Sequence, residues 1–294
     1  FLEANDLPLV AGFRSQAILD NRHPHYCGDL SLGCNPAVAE RARNADLLLV
    51  IGDRLGDVTT QHYTVMDVPR PKQTLIHVYP GAEELGRVYH TDLAIVANGN
   101  AFVAALAQMP AVEAGARAAW RSEARQVYER YRTPPASSLE MDMAQIVTHL
   151  RQALPDNAIV TNGAGNYTIW LHRFFEYRAL GSQLAPRSGS MGYGLPAAIA
   201  AKLRHPDRPV VALAGDGCFQ MASPDFATAV QQNLAIVVIV ANNGTYGSIR
   251  MHQERHFPGR PSGTELTNPD FASLAKAYGA HGETVRRHVD FPAA

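Results

Sequence analysis

The sequence predicts an α/β protein made of two doubly wound, mainly parallel-sheet domains. Three observations carry that expectation. Short apolar runs recur in both halves of the chain, with the length and composition of buried parallel strands. Stretches with apolar residues at helical spacing lie between or after them. Between residues 110 and 138 the text turns to Ala, Arg and Glu and then to TPPASS, which reads as a connecting helix and a linker. The expected divisions are therefore residues 1–109, 110–138 and 139–294.

In the first block, DLLLVIG (46–52), QTLIHVY (73–79) and LAIVAN (93–98) are the strand candidates. Helices are expected over PAVAERARNA (36–45), AEELGRVY (82–89) and AFVAALAQM (101–109). Asn35 stands where a cap belongs and Pro36 in the first turn, where a missing N–H costs nothing. The second block begins with a helix, MDMAQIVTHLRQAL (141–154), followed by the strand AIVTN (158–162) and a glycine loop. Then come the helix GLPAAIAAKL (194–203), the strand PVVALAG (209–215), the helix SPDFATAVQQ (223–232) and the strand LAIVVIVA (234–241). A last helix is expected over PDFASLAKAYG (269–279). No internal repeat or low-complexity tract interrupts either block.

Composition narrows the functions available. The 294 residues, 46% of them hydrophobic, suffice for two domains with separate cores. A formal net charge of -1 provides no basic field for nucleic acid. No window of about 18 apolar residues points to a membrane span. Anionic ligands must then be held by local groups. Cys27, Cys34 and Cys218 lack paired metal-site spacing and the density of a disulfide framework, so a reducing cytoplasm is expected. The chain opens at Phe1 with neither Met nor a signal-like segment, which raises the expectation of a portion of a longer protein.

The chemistry concentrates in GDGCFQMASPDFATAVQQNLAIVVIVANNGTYG (215–247). VVALAG ends a strand, so Gly215, Asp216 and Gly217 fall at its carboxyl end, where open α/β sheets bind ligands. Glycines there let backbone amides approach a phosphate. The following helix returns to LAIVVIVA, which delivers Asn242 and Asn243 to the same edge. Asp216 and Asn243 lie 27 positions apart, a span that one loop, one helix and one strand consume. A carboxylate, an amide oxygen and a nearby carbonyl, with phosphate oxygens and a water, make the octahedral oxygen shell that magnesium prefers. Taken singly, GDG and NNG are ordinary turn signals; their combination, with a strand before each and a helix between, reads as a site for magnesium diphosphate.

This pattern of GDG, an interval of that size and then NN resembles the signature of thiamine diphosphate enzymes. The resemblance continues through NNGTYGSIR and RSGSMGYGLPAAIAA (187–201), and the first block resembles the middle, Rossmann-like domain of acetolactate synthase-like members in YCGDLSLGCNP, DLLLVIGDRLGD and ELGRVYHTDLAIV. It implies that Asp216 and Asn243 bind magnesium through side chains and Thr245 through its carbonyl. Gly217 and Cys218 would give backbone amides to the diphosphate, with Gly215, Tyr246 and Gly247 flanking it. Many members carry Ser at the position of Cys218, so only the backbone contact carries over there. Ala164, Gly165 and Asn166 of NGAGNY are implied to help hold the diphosphate. In GSMGYG, the Gly189 carbonyl would accept from the aminopyrimidine, beside Ser190, and Met191 would be the apolar wedge beneath the bent cofactor. Met is adaptable enough for that gap; read alone, Met191 opens the helix pattern MGYGLPAAIAAKL as a core residue.

The resemblance also implies the biology. A thiazolium ylid would attack a 2-oxo acid substrate, carbon dioxide would leave, and the product would be protonated or captured by a second carbonyl. The activating glutamate belongs to a pyrimidine-binding domain that no segment here resembles, so no catalytic residue is expected in this chain. It is expected to be a middle domain truncated at its start plus a diphosphate-binding domain truncated at its end, inactive alone. A homodimer or homotetramer is implied for the full-length enzyme. Flavin adenine dinucleotide is not predicted, because DRLGD stands where flavin-containing acetolactate synthases commonly have an RFDDR-like run.

A benzoylformate decarboxylase-like lyase is the near alternative, since NNGTYG also resembles that group. A non-catalytic cofactor-binding module is a second alternative. A Rossmann-type dehydrogenase is disfavoured, as no GxGxxG opens a helix after the first strands. His23 and His25 read as loop contacts rather than metal ligands, and His252, Glu254 and His256 as the solvated face of a short helix or as groups reaching the substrate. Arg54 and Arg87 lie near glycines where a nucleotide could meet them.

Overall fold

The computed structural model describes residues 1–113, 115 and 117–294. Ala114 and Ala116, within the expected connecting segment, lie outside the described residues. The chain divides into two compact units, one of Phe1–Gln16 and Arg22–Thr133, the other of Ala17–Asn21 and Pro134–Ala294.

The first unit contains α1 (Leu2–Asn5), β1 (Leu9–Ala11), β2 (Tyr26–Asp29), α2 (Pro36–Arg43), β3 (Leu47–Ile51), β4 (Thr74–Tyr79), β5 (Leu93–Val96), α3 (Gly99–Leu106) and α4 (Arg117–Arg132). Strands β3, β4 and β5 form one parallel sheet in that order, and β1 and β2 pair in parallel separately. Asn35 caps α2 by accepting from the Ala37 N–H at 3.0 Å, and Asn98 caps α3 in the same way. Leu75, fully buried on β4, anchors a cluster with Ala39, Val65, Met66 and Tyr89. Side chains of that size each stabilise by about 1.5–3 kcal/mol when removed from water. α4 docks on β2 through Arg125, which donates to the Tyr26 carbonyl at 2.9 Å, and through the edge-to-face pair Tyr26–Tyr128. AEELGRVY does not continue as a helix. Only a 3-10 turn forms over Ala82–Glu84, because Gly86 takes φ +76° and the Glu84 carboxylate is drawn to Arg54 and Arg87.

The second unit contains α5 (Met143–Ala153), β6 (Ile159–Asn162), α6 (Tyr167–Phe174), β7 (Gln183–Leu184), α7 (Gly194–Arg204), β8 (Val210–Gly215), α8 (Asp216–Gln220), α9 (Phe226–Gln231), β9 (Val237–Ala241), α10 (Gly247–His256) and α11 (Phe271–Ala277). Its sheet runs β7-β6-β8-β9, parallel throughout. β6 and β8 are the two interior strands, and Val211, Ala212 and Leu213 of β8 are essentially inaccessible. α7 presents small residues to the sheet and approaches it closely. A Cβ on Gly194 would stand 3.1 Å from the backbone of Asn162 and Gly163, and the Gly194 carbonyl accepts from the Thr161 hydroxyl at 2.7 Å. Met191 lies outside this helix, which begins only at Gly194; Gly192 at φ +78° breaks the expected run. No helix among the described residues is long and apolar enough to cross a membrane.

Candidate functional site

Strand register builds the site. Gly215 of β8 stands opposite Ala241 of β9, so the next residues, Asp216 and Asn242, leave the sheet side by side at its carboxyl edge. Asp216 opens α8 and is only 3% exposed. Its carboxylate accepts from the Gly217 N–H at 2.9 Å through Oδ1, and through Oδ2 from the Gly244 N–H at 2.8 Å and Asn268 Nδ2 at 2.7 Å. All three donors are neutral. A buried carboxylate without a cationic partner is costly, and a bound cation would relieve that cost.

The turn after β9 is fixed from both sides. Gly244 adopts φ +66°, and the Asn243 Oδ1 accepts from the Thr245 N–H at 3.3 Å. Thr245 forms an antiparallel bridge with Glu265, and its hydroxyl donates to the Thr264 carbonyl at 2.8 Å. The Thr245 carbonyl already accepts from the Gly247 N–H at 2.9 Å, which leaves its second lone pair. Gly247 admits the Asn243 amide, since a Cβ there would sit 3.2 Å from Asn243 Nδ2. The donors gathered here are a carboxylate, an amide oxygen and a carbonyl. That is a hard-oxygen set suited to Mg2+ rather than to a thiolate- or imidazole-seeking metal. Among the described residues no group of three or more His, Cys, Asp or Glu is placed to hold a metal ion.

Gly217 is required by close approach. A Cβ on it would meet Tyr246 Cε1 at 2.5 Å and Leu266 Cδ1 at 3.2 Å, so the Tyr246 ring lies directly over the start of α8. The Gly217 N–H, expected to face a diphosphate, is held by its neighbouring Asp216 in this structure. Cys218 does more than its backbone predicted. Its buried thiol sulfur accepts from the Gly192 N–H at 3.2 Å and from the Tyr167 hydroxyl at 3.5 Å, while the Tyr167 oxygen accepts from the Gly163 N–H at 2.9 Å. A Cβ on Gly163 would collide with that sulfur. Three segments distant in sequence thus meet at one thiol.

The loop after β6 is tied to α10 instead of standing open. The Asn166 N–H donates to the Ser248 hydroxyl at 3.0 Å, and that hydroxyl donates back to Asn166 Oδ1 at 3.0 Å. Gly165 takes φ +139° and Gly189 φ +76°. A cleft of about 1800 Å³ brings Ala164, Gly165 and Asn166 together with Gly189, Met191, the strand-end groups from Gly215 to Cys218, and Asn243, Thr245, Tyr246 and Gly247. Met191 is half-buried and packs against the core cluster that includes Tyr167 and Cys218. Ser190 is the exception: it is exposed, with its hydroxyl 2.6 Å from that of Ser188.

Asn268, Gln220, Tyr167 and Ser248 shape the site without having been singled out. The only sequence cue to Asn268 is its place before Pro269, which favours extended backbone ahead of a helix. Asp270 then caps α11, and the Ser273 backbone and hydroxyl hold its carboxyl below the usual range. His252, Glu254 and His256 are exposed on α10, the two rings stacked 6.4 Å apart. His23 meets Glu3 at 3.0 Å and His25 meets the Leu7 carbonyl at 2.8 Å, so both are structural. Arg54 and Arg87 both pair with Glu84.

Residues 1–106 match the family described as "Thiamine pyrophosphate enzyme, central domain", and residues 163–294 match "Thiamine pyrophosphate enzyme, C-terminal TPP binding domain". The chain is 28% identical over 300 residues to "Acetolactate synthase" of Mycobacterium avium, covering 98% of this chain and 48% of that protein. It is 26% identical over 299 residues to "Acetolactate synthase isozyme 2 large subunit" of Escherichia coli (strain K12), covering 100% of this chain and 53% of the relative. The chain therefore spans about half the length of the relatives it matches.

Proposed function

Because this chain belongs to the thiamine pyrophosphate enzyme family, with that family's central and C-terminal domains, we propose that it is the cofactor-binding portion of a 2-oxo acid decarboxylase or carboligase of the acetolactate synthase kind. The observation that carries this reading is Asp216: a carboxylate 3% exposed, balanced by neutral donors alone, at the paired ends of two parallel strands.

On this proposal residues 1–109 form the central domain, 110–138 the connection and 139–294 the diphosphate-binding domain. Asp216, Asn243 and the Thr245 carbonyl would hold Mg2+, and the Cys218 amide would meet the diphosphate, the Gly217 N–H staying on Asp216 Oδ1. Ala164, Gly165 and Asn166 close the other side. When bound, thiamine diphosphate supplies a carbon nucleophile and electron sink for 2-oxo acid chemistry. The chain's own task would be to orient it: Met191 would pack against it and the Gly189 carbonyl would accept a hydrogen bond from it. The family resemblance further supports a homodimer or homotetramer for the intact enzyme.

Product analysis of the intact protein with Mg2+ and thiamine diphosphate tests the reading. Acetolactate and carbon dioxide from pyruvate support it, whereas benzaldehyde from benzoylformate favours the lyase alternative. Failure to release carbon dioxide from any 2-oxo acid contradicts both and favours a non-catalytic binding module.

A further inference from the structure

Asn268 bridges the ends of both strands that build the site. Its Nδ2 donates to Asp216 Oδ2 at 2.7 Å and to Asn242 Oδ1 at 2.7 Å, while its Oδ1 accepts from Gln220 Nε2 at 2.6 Å. Both protons of the amide are used, and the Asp216 carboxylate, which only accepts, fixes its orientation, since a flipped amide would face it with an acceptor. The segment bearing it is pinned by backbone pairing: the Tyr246 N–H donates to the Thr264 carbonyl at 2.8 Å, and the Leu266 N–H to the Gly244 carbonyl at 2.9 Å.

The consequence lies in the lone pairs of Asp216. A carboxylate has about four acceptor sites. Gly244 and Asn268 fill the two on Oδ2, and Gly217 fills one on Oδ1. We propose that Asn268 is a positioning residue for the metal site: with Gln220 behind it, it locks the Asp216 carboxylate so that the remaining direction on Oδ1 faces the cation. This rests on the proposed magnesium site and adds to it a residue that touches neither metal nor cofactor. Outer partners of this kind orient a ligand, and losing one typically weakens metal affinity by about 10–100-fold.

The test is Mn2+ binding to the intact protein in the presence of thiamine diphosphate, read by electron paramagnetic resonance, which needs no turnover. Asn268→Ala removes the bridge. Asn268→Leu keeps the approximate volume and removes both donated hydrogen bonds without adding charge, so packing alone would leave it near wild type. Gln220→Leu, at an exposed position, leaves both bonds donated by Asn268 and removes only the one its Oδ1 accepts. The expected result is a dissociation constant raised roughly 10–100-fold in both Asn268 variants and by a smaller factor in Gln220→Leu. Variants that keep wild-type affinity, or bind more tightly, overturn the proposal while wild type still binds Mn2+. A wild-type protein that shows no Mn2+ binding with thiamine diphosphate overturns the metal site itself.

Discussion

The Oδ2 atom of Asp216 lies 2.8 Å from the backbone N–H of Gly244, joining the turn after β8 to the turn after β9. That one bond holds a carboxylate and the turn bearing Asn243 and Thr245 in a common frame.

Gly217→Ala should displace the Tyr246 ring, whose Cε1 would stand 2.5 Å from the new Cβ. Overpacking of this kind costs about 1–3 kcal/mol. Denaturant unfolding of Gly217→Ala, Tyr246→Ala and the double variant checks it. The double variant is expected to be more stable than the sum of the single losses predicts, because the clash has no partner once the ring is gone.

Cys218→Ala removes the acceptor used by the Gly192 N–H at 3.2 Å and by the Tyr167 hydroxyl. An unsatisfied buried donor costs about 1–3 kcal/mol. Cys218→Ser, which retains an acceptor, should lose less, and thermal unfolding of the two variants should rank them in that order.

In the first unit, burial pushes the Asp29 carboxyl up from 3.8 to about 7, opposed in part by hydrogen bonds from Gln16 and the Ser31 backbone. Between those values the folded state holds a proton that the unfolded state has released. Stability contributed by this group is therefore present at acid pH and falls as pH rises toward 7. Asp29→Asn should remove that slope, with a gain relative to wild type that grows from acid to neutral pH. Melting temperatures of both proteins across that range check the sign.

Much of the site was legible because strand ends announce themselves. VVALAG followed by Asp216 and LAIVVIVA followed by Asn242 fix two adjacent positions once the strands pair in parallel, and Gly215 does stand opposite Ala241. Local grammar was less reliable where charge and glycine intervene: AEELGRVY carries a helical pattern, yet Gly86 and the Arg54–Glu84 pair stop it after one turn. The glycine loops read as ligand-holding also contain α6 and α8, which no helical pattern in the sequence announces. Asn268 was out of reach for a related reason. Its role depends on residues 264–266 pairing with residues 244–246, a long-range register that no nearby spacing encodes.

The most direct test of the central claim is calorimetric titration of thiamine diphosphate into the intact protein, with and without Mg2+, for wild type and Asp216→Ala. Wild type should bind in a Mg2+-dependent manner, and Asp216→Ala should lose affinity by about 100-fold or more, beyond what the loss of an outer partner produces. Equal affinity in the two proteins, or wild-type binding indifferent to Mg2+, would show that Asp216 is not the carboxylate that holds the ion.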